Sequence, residues 1–364
     1  MSVRFLQEQD VRSLVGMADA LEAVELSFHE QARDTGINEP RRRVHQPNGV
    51  LHLMSGALLE RGYWGFKAYT TTRHGARFTV QLYHAETGAL VCIMEANYLG
   101  QLRTGAASGI ATRYLANAEA GILALFGSGY QAETQLEAIA SVRPLREIRV
   151  YSRTPARREA FAHQMAERFN IPVQAVTSPQ TAVQGADIVT TVSSSREPVF
   201  DGNDLQDGVH INAAGSNSAA KAELDATAVR RAWHIFTDDV MQARHESGDL
   251  IAAYERNALV WSQVRPLADV VGGIVPGRTD PNAITLFASH GIALWDIALA
   301  ATVYERAEAP GWEPQYIQAS RSLALTRPCQ PAIIACRMVQ TGPGSVSIDT
   351  INAMGLHHPW QATT

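Results

Sequence analysis

Gly127, Gly129 and Ala132 stand in the run Gly121 to Ala132, GILALFGSGYQA, where a short apolar segment leads straight into G-x-G-x-x-A. At the end of a predicted strand and the start of a predicted helix, that spacing suits the binding of a pyrophosphate. The first glycine makes the tight turn and the second lets phosphate approach the backbone. The small third residue lets the helix pack close on the sheet with its N-terminus toward the anion. The spacing predicts a dinucleotide site with Gly127, Gly129, Tyr130 and Gln131 around the phosphates. An ordinary strand-to-helix turn that happens to use two glycines is the competing reading, and the surrounding elements decide between them.

The next strand reports which dinucleotide. Glu147 to Tyr151 runs into Ser152-Arg153-Thr154, with Arg157 and Arg158 one turn into the following helix. Sites that take NAD usually end this strand in Asp or Glu, whose carboxylate binds both ribose hydroxyls and repels a 2′-phosphate. No acid stands here, and an arginine fork suits a phosphate ester. The expected cofactor is NADP(H), with NAD(H) as the alternative, and Ser152, Arg153 and Thr154 at the adenosine ribose. The other use of these arginines is a solvated helix face.

The elements that must position these residues follow from periodicity. Helix-like spacing covers Gln131 to Ala140, Pro155 to Phe169 and Pro179 to Gln184, with a short strand near Val173 to Val176 and apolar runs at Ala186 to Val192, Val209 to Ala214 and His234 to Thr237. Strands alternating with helices at this spacing describe an α/β fold, a Rossmann-type doubly wound parallel sheet. Both chain ends read differently. Residues 11–33 show helical spacing; Arg41 to Val44, Val50 to Met54, Trp64 to Thr70, Phe78 to His84 and Ala89 to Met94 alternate as an antiparallel sheet, the last two joined by a turn at Glu86-Thr87-Gly88. A long helical run from Tyr98 to Leu115 feeds the Gly-rich strand, and a late helix from Gly291 to Arg306 returns. The expected organisation is a second α+β domain from residues 1–115 with 291–327, for substrate binding and dimerisation, around a nucleotide domain at 116–290. Pro328 to Thr364, rich in Pro, Gly and Thr, reads as a poorly ordered tail.

Composition sets limits on partners. The chain has 364 residues, 46% hydrophobic and 18% charged, which suffices for two well-packed domains. A formal net charge of -5 gives no basic footprint for nucleic acid. Three cysteines, Cys92, Cys329 and Cys336, have no spacing that suggests a metal knuckle or a disulfide framework, which fits a reducing cytoplasm. The first residues lack the apolar segment of a signal peptide, and no run is long enough to span a bilayer. A soluble cytoplasmic protein with no metal, nucleic-acid or membrane partner is expected.

Further pieces carry a resemblance: EPRRRV at Glu39 to Val44, GVLHLM at Gly49 to Met54, GFKAY at Gly65 to Tyr69, TVQLYHAETGAL at Thr79 to Leu90 and LRTGAASGIATRYLA at Leu102 to Ala116. After GSGYQA come ADIV at Ala186 to Val189, GSNSAAKAELD at Gly215 to Asp225 and ITLFASHGIALWD at Ile284 to Asp296. With these in order, the chain resembles the ornithine cyclodeaminase and mu-crystallin family across about Leu14 to Arg306. The resemblance implies a homodimer assembled through the sheet-rich half. It leaves open cyclodeaminases, amino-acid dehydrogenases, ketimine reductases and crystallin-type binders. It also implies cofactor contacts at Thr79, Arg103, Thr104, Val192, Ser193, Asn217, His290 and Gly291.

Hydride chemistry on an amino acid or its imine needs cations for the carboxylate, a proton donor at the nitrogen and the α-carbon held against the nicotinamide. Arg41, Lys67 and Arg103 are the cations the resemblance implies. Arg41 and Arg43 share a strand face, so either could be the clamp; Arg41 follows Pro40 as the family's Pro-Arg pattern suggests. Lys67, between Phe66 and Tyr69, can be desolvated and its pKa lowered, making it an acid or base; an edge-strand lysine that discourages pairing is the alternative. Asn217 is the departure: many relatives carry Asp there, and an amide cannot accept a proton at neutral pH. Asn217 is also placed to cap a helix near Ala219. His52 replaces a second carboxylate of the ornithine enzymes. Both changes remove negative charge and point to a substrate with a neutral or acidic side chain. The expected function is NADP(H)-dependent reduction of an imine or ketimine carboxylate, or interconversion of a 2-oxo acid and its amino acid. A cyclodeaminase and a crystallin-like NADP(H) carrier without turnover are the alternatives.

Overall fold

Alternating apolar and polar residues over 36–95 give a sheet with two unlike faces. The structure, a computed structural model, describes residues 3–313 in full and, beyond them, the backbone of two short strands. The first sheet has seven strands, β1 (Arg4–Leu6), β2 (Gly36–Asn38), β3 (Arg42–Gln46), β4 (Gly49–Leu58), β5 (Tyr63–Thr72), β6 (Gly75–His84) and β7 (Leu90–Glu95), in the order β1-β7-β6-β5-β4-β2 with β3 also on β4. Every pair from β2 to β7 is antiparallel, as the alternation predicts; β1, only three residues long, adds a parallel edge on β7 that the pattern does not reveal. Register puts Met54 opposite Lys67, Lys67 opposite Val80, and Val80 opposite Met94, so these four share one face, and all are buried. Leu51, Leu53 and Trp64 occupy the other face and are exposed.

The helical spacing over 11–33 resolves into two helices, Glu8–Leu14 and Met17–Ala32. Gly16 between them is extended, and its N–H donates to the Asp19 carboxylate at 2.9 Å, which starts the second helix afresh. Helix Asn97–Leu115 then leads to a second sheet of eight strands: β8 (Ile122–Phe126), β9 (Glu147–Tyr151), β10 (Val173–Ala175), β11 (Ile188–Thr191), β12 (His210–Ala213), β13 (Ala232–Thr237), β14 (Val264–Pro266) and β15 (Ile284–Ala288). All pairs are parallel, in the order β10-β9-β8-β11-β12-β15-β13-β14. The chain winds outward from β8 to β10, then returns to place β11 on β8's other side. That reversal opens a crevice at the carboxyl ends of β8 and β11, where doubly wound sheets bind ligands. Helices Tyr130–Ala140, Pro155–Phe169 and Pro179–Val183 make the first crossovers within two residues of their predicted bounds.

Helix Ala293–Ala307 returns to the first sheet and packs on β4, β5 and β6. Its side chains join an apolar core that also takes in Leu21, Phe28, Leu99 and Leu102, together with Phe236, Leu267 and Phe287 from the parallel-sheet half. Each fully buried Leu or Phe there contributes about 1.5–3 kcal/mol. Two smaller clusters cover opposite faces of the parallel sheet, since Leu123 and Leu125 enter one and Ala124 and Phe126 the other. The two expected domains are thus two sheets within one compact unit, Met1–Gln315. The expected tail lies outside the described residues, save a backbone pair of antiparallel strands, β16 (Arg337–Gln340) and β17 (Val346–Asp349). Among the described residues no helix is long and apolar enough to cross a membrane, and no group of three or more His, Cys, Asp or Glu side chains could hold a metal ion.

Candidate active site

At the carboxyl ends of β8, β9 and β11 lies a cleft of about 410 Å³. Gly127 makes its turn at φ 129°, with its N–H on the Tyr151 carbonyl at 2.9 Å; a Cβ there would fall 2.6 Å from the Val192 carbonyl oxygen, so only glycine fits. Gly129 caps helix Tyr130–Ala140 and has nothing within 4 Å of where its Cβ would stand, which leaves room for phosphate at the helix N-terminus. Ala132 is buried under the helix. Ser128 Oγ donates to Ser152 Oγ at 2.9 Å and ties the glycine turn to the end of β9. Gln131, Arg153, Thr154, Arg157 and Ser193 also line it, and no Asp, Glu or His is among the lining. The buried Oε1 of Gln131 has no partner within the protein, an acceptor left for a ligand. Arg158 plays a different part: it is buried, donates to the Ser152 carbonyl at 3.0 Å and lies 5.9 Å over the Tyr151 ring. These residues fit a dinucleotide.

The second centre is a cluster of buried charges. Lys67 on β5 is 2% exposed, and its Nζ donates to Asp296 Oδ1 at 2.8 Å; Arg103 Nε, from helix Asn97–Leu115, donates to the same oxygen at 3.1 Å. Burial pushes the Lys67 amine down to about 8; the Asp296 charge opposes that fall, and Arg103 and Arg41 add to it. Burial alone would raise the Asp296 carboxyl, but Arg103 and Lys67 outweigh it and hold it below the ordinary carboxylate range. Its second oxygen is buried and unpartnered. Phe78 lies under the Lys67 ammonium at 4.9 Å.

Arg41 and Arg43 enter from the start of the sheet and share Glu246. Arg41 Nη1 donates to Glu246 Oε2 at 2.9 Å, and its Nη2 reaches the carbonyls of His290 and Gly291 at 2.9 and 3.1 Å. With Nε on Met54 Sδ at 3.3 Å, four of its five N–H groups are engaged. Arg43 pairs with Glu246 at 2.7 Å and donates to the Asn217 carbonyl at 3.0 Å, with its side chain 27% exposed against 2% for Arg41. The two arginines share a face as expected, and Arg43 is the more open. Asp238 shapes the loop they meet, accepting from the His290 and Gly291 N–H groups at 2.8 and 2.6 Å. His52 stands opposite Arg43, stacked on Tyr69 at 4.1 Å and bonded to Thr71 Oγ1 at 3.0 Å. Burial, followed by Arg43 and Arg41, drops its pKa to about 4, so the ring is neutral.

The structure thus brings Gly127, Gly129, Tyr130, Gln131, Ser152, Arg153, Thr154, Val192 and Ser193 to the cleft, and Arg41, His52, Lys67, Arg103, His290 and Gly291 to or beside the charged cluster. Thr79 and Thr104 fall elsewhere, and Asn217 meets the cluster through its backbone carbonyl. Thr79 sits opposite Ala68, on the sheet face turned away from Lys67, because neighbouring residues of a strand alternate sides. Thr104 bonds the Gly100 carbonyl at 2.7 Å, and its own carbonyl accepts from Gln135, so it joins two helices. Asn217 is an exposed loop residue whose carbonyl serves Arg43, and no helix begins near Ala219; the next one, Ala226–Arg231, is capped by Asp225. Asp296, Glu246 and Glu223 were missed. Asp296 had a signal, since an acid inside the apolar run ALWDIALAA must find a cation once buried.

Residues 1–311 match the family model described as ornithine cyclodeaminase/mu-crystallin. The chain belongs to that family. A Delta(1)-pyrroline-2-carboxylate reductase of Bacillus cereus is 36% identical over 318 residues, 84% of this chain and 97% of the relative. The iminosuccinate reductase of Paracoccus denitrificans is 30% identical over 315 residues, 84% of this chain and 96% of the relative. Among solved structures, the Thermococcus litoralis Delta(1)-pyrroline-2-carboxylate reductase in complex with NADH and L-proline superposes with TM-score 0.80 at 30% identity, over 83% of this chain and 97% of that one. An archaeal alanine dehydrogenase dimer with bound NAD gives TM-score 0.80 at 31% identity, over 84% and 96%. Family membership covers both sheets and leaves the substrate to the side chains described above.

Proposed function

We propose that this chain, an NAD(P)-dependent oxidoreductase acting on carbon–nitrogen bonds, reduces an imine or ketimine carboxylate to the amino acid with NADPH as its preferred reductant. The observation that carries the reading is Lys67: an amine buried against Asp296 and lowered to about 8, in a chain that also carries a dinucleotide-shaped cleft, can hold a proton at neutral pH and release it to a substrate nitrogen. The nicotinamide, when bound, supplies the hydride for the α-carbon. Arg103 and the Arg41–Arg43 pair oppose the substrate carboxylate, and Asp296 aims Lys67 and Arg103 at one point.

The side-chain preference rests on charge. Asp296 and Glu246 are each already matched by two cations, His52 is neutral, and position 217 carries an amide. Among the described residues of the cluster each carboxylate is already ion-paired, so imines with neutral or acidic side chains fit better than ornithine or lysine. The NADPH preference rests on Arg153 and Arg157 at a rim that holds no acid. The exposed apolar face with Leu51, Leu53 and Trp64 is the surface through which two copies would pair. The test is a panel of cyclic imine carboxylates, iminosuccinate, and 2-oxo acids with ammonia, each followed by decay of NADPH and NADH absorbance. Turnover of at least one, faster with NADPH, supports the reading; ammonia release from ornithine with no net cofactor change refutes it.

A further inference from the structure

Glu223 lies outside the chemistry described so far, yet its carboxylate joins two loops of the cofactor cleft. Ser193 follows β11 and Gly215 follows β12, and both line the cleft. Glu223 Oε1 accepts from the Ser193 N–H at 2.6 Å, and Oε2 accepts from the Gly215 N–H at 2.9 Å. The approach is so close that a Cβ on Gly215 would stand 2.3 Å from Oε2, so position 215 is glycine to admit this carboxylate. The Glu223 backbone is itself fixed on both sides of its Cα: its N–H donates to Asp249 Oδ1 at 2.6 Å, and its carbonyl accepts from the Val199 N–H at 2.9 Å. The side chain is 0% exposed.

We propose that Glu223 is a positioning residue that latches the Ser193 and Gly215 loops in their cofactor-binding arrangement when ionised and loosens them when protonated. An ionised carboxylate offers acceptors to both amides, whereas a protonated one turns a donor toward one of them and gives up that bond. Burial raises the Glu223 carboxyl to about 7, with the facing Asp249 adding to the rise and the Ser193 and Thr191 groups opposing it. Asp249, from helix Gly248–Glu255, is the charged group that faces it, and His290 acts on Asp249 in turn. No histidine lines the cleft to imitate the effect.

Cofactor binding selects the latched, ionised form, so affinity is full above about pH 7 and falls as pH drops through it; a group of that pKa gives about a tenfold loss between pH 8 and pH 6. The experiment is fluorescence titration of the full chain with NADPH and with NADH, which has no 2′-phosphate of its own to titrate, across that range. The wild type should lose affinity for both cofactors. Glu223→Gln should bind both about tenfold more weakly at pH 8, with no pH dependence and with kcat at saturating cofactor kept within a few-fold. Asp249→Asn keeps a side-chain oxygen that accepts from the Glu223 and Leu224 N–H groups and removes the facing charge, so its midpoint should move to lower pH; it serves as the second variant if Glu223→Gln fails to fold by circular dichroism. A flat wild-type profile, a wild-type profile in Glu223→Gln, or an unmoved midpoint in Asp249→Asn would each overturn the proposal.

Discussion

Asp296→Asn removes one charge and almost no volume from the centre of the buried cluster. Lys67 and Arg103 both bond Asp296 Oδ1, at 2.8 and 3.1 Å, so the amide leaves two buried cations facing each other with no anion between them. A unit charge at about 4 Å in a medium of effective dielectric near 20 is worth about 4 kcal/mol. At about 1.4 kcal/mol per pKa unit, even half of that lowers the Lys67 amine by about 1 unit or more. The wild-type amine loses its proton as pH rises through about 8. Imine reduction needs the protonated form, so wild-type kcat/KM should be level below that pH and decline above it. In Asp296→Asn the decline should begin about 1 pH unit or more lower, leaving activity reduced by about twofold or more near pH 7 and by about tenfold or more at about pH 9. The fold should also weaken by about 3–5 kcal/mol, the cost of breaking a buried ion pair from one side. The assay is kcat/KM against pH, paired with thermal unfolding to separate lost folding from a shifted profile. A folded Asp296→Asn protein whose basic limb coincides with that of the wild type would refute the reasoning.

Other substitutions test the remaining parts. Arg153→Ala should weaken NADPH binding by about 1–3 kcal/mol with little change for NADH, and equal losses for both in a fluorescence titration would count against the 2′-phosphate contact. Asn217→Asp, beside Arg43, should raise kcat/KM for cationic amino acids and lower it for an acidic imine, each by about tenfold through charge complementarity; unchanged ratios would place residue 217 outside the substrate's reach. Leu53→Glu with Trp64→Glu sets two like charges on the exposed apolar sheet face and should give monomers by analytical ultracentrifugation, while an undisturbed dimer would move the interface elsewhere.

The legible parts of the molecule were those where one short-range rule decides the geometry. Gly127 needs a positive φ beside Val192, and that need is written in the G-x-G-x-x-A spacing; the β9 strand ends at Tyr151, where apolar alternation gives way to Ser152-Arg153-Thr154. Lys67 was readable as a desolvated amine only through the family resemblance, since its local residues suit an edge-strand lysine as well; period two put Met54, Val80 and Met94 on its face. Illegible parts depend on pairing across long stretches of chain. Glu246 meets Arg41 across some two hundred residues, and Asp296 meets Lys67 across a comparable span, so neither partner is visible in a local window. The role of Thr79 rests on resemblance alone, and the alternation of β6 sets it on the sheet face away from Lys67. The three-residue β1 has too few side chains to announce a strand, and the break at Gly16 depends on an Asp19 contact that helical spacing conceals.

The central claim is that hydride passes to the α-carbon of an imine carboxylate while Lys67 protonates the nitrogen. The most direct measurement uses NADPH deuterated at the transferable nicotinamide position, with a cyclic imine carboxylate such as Δ1-pyrroline-2-carboxylate, and reads the amino-acid product by mass spectrometry. One deuterium at the α-carbon per cofactor oxidised, lost together with turnover in Lys67→Ala while cofactor binding persists, is the predicted result. Product without deuterium, or full turnover in Lys67→Ala, would contradict the account.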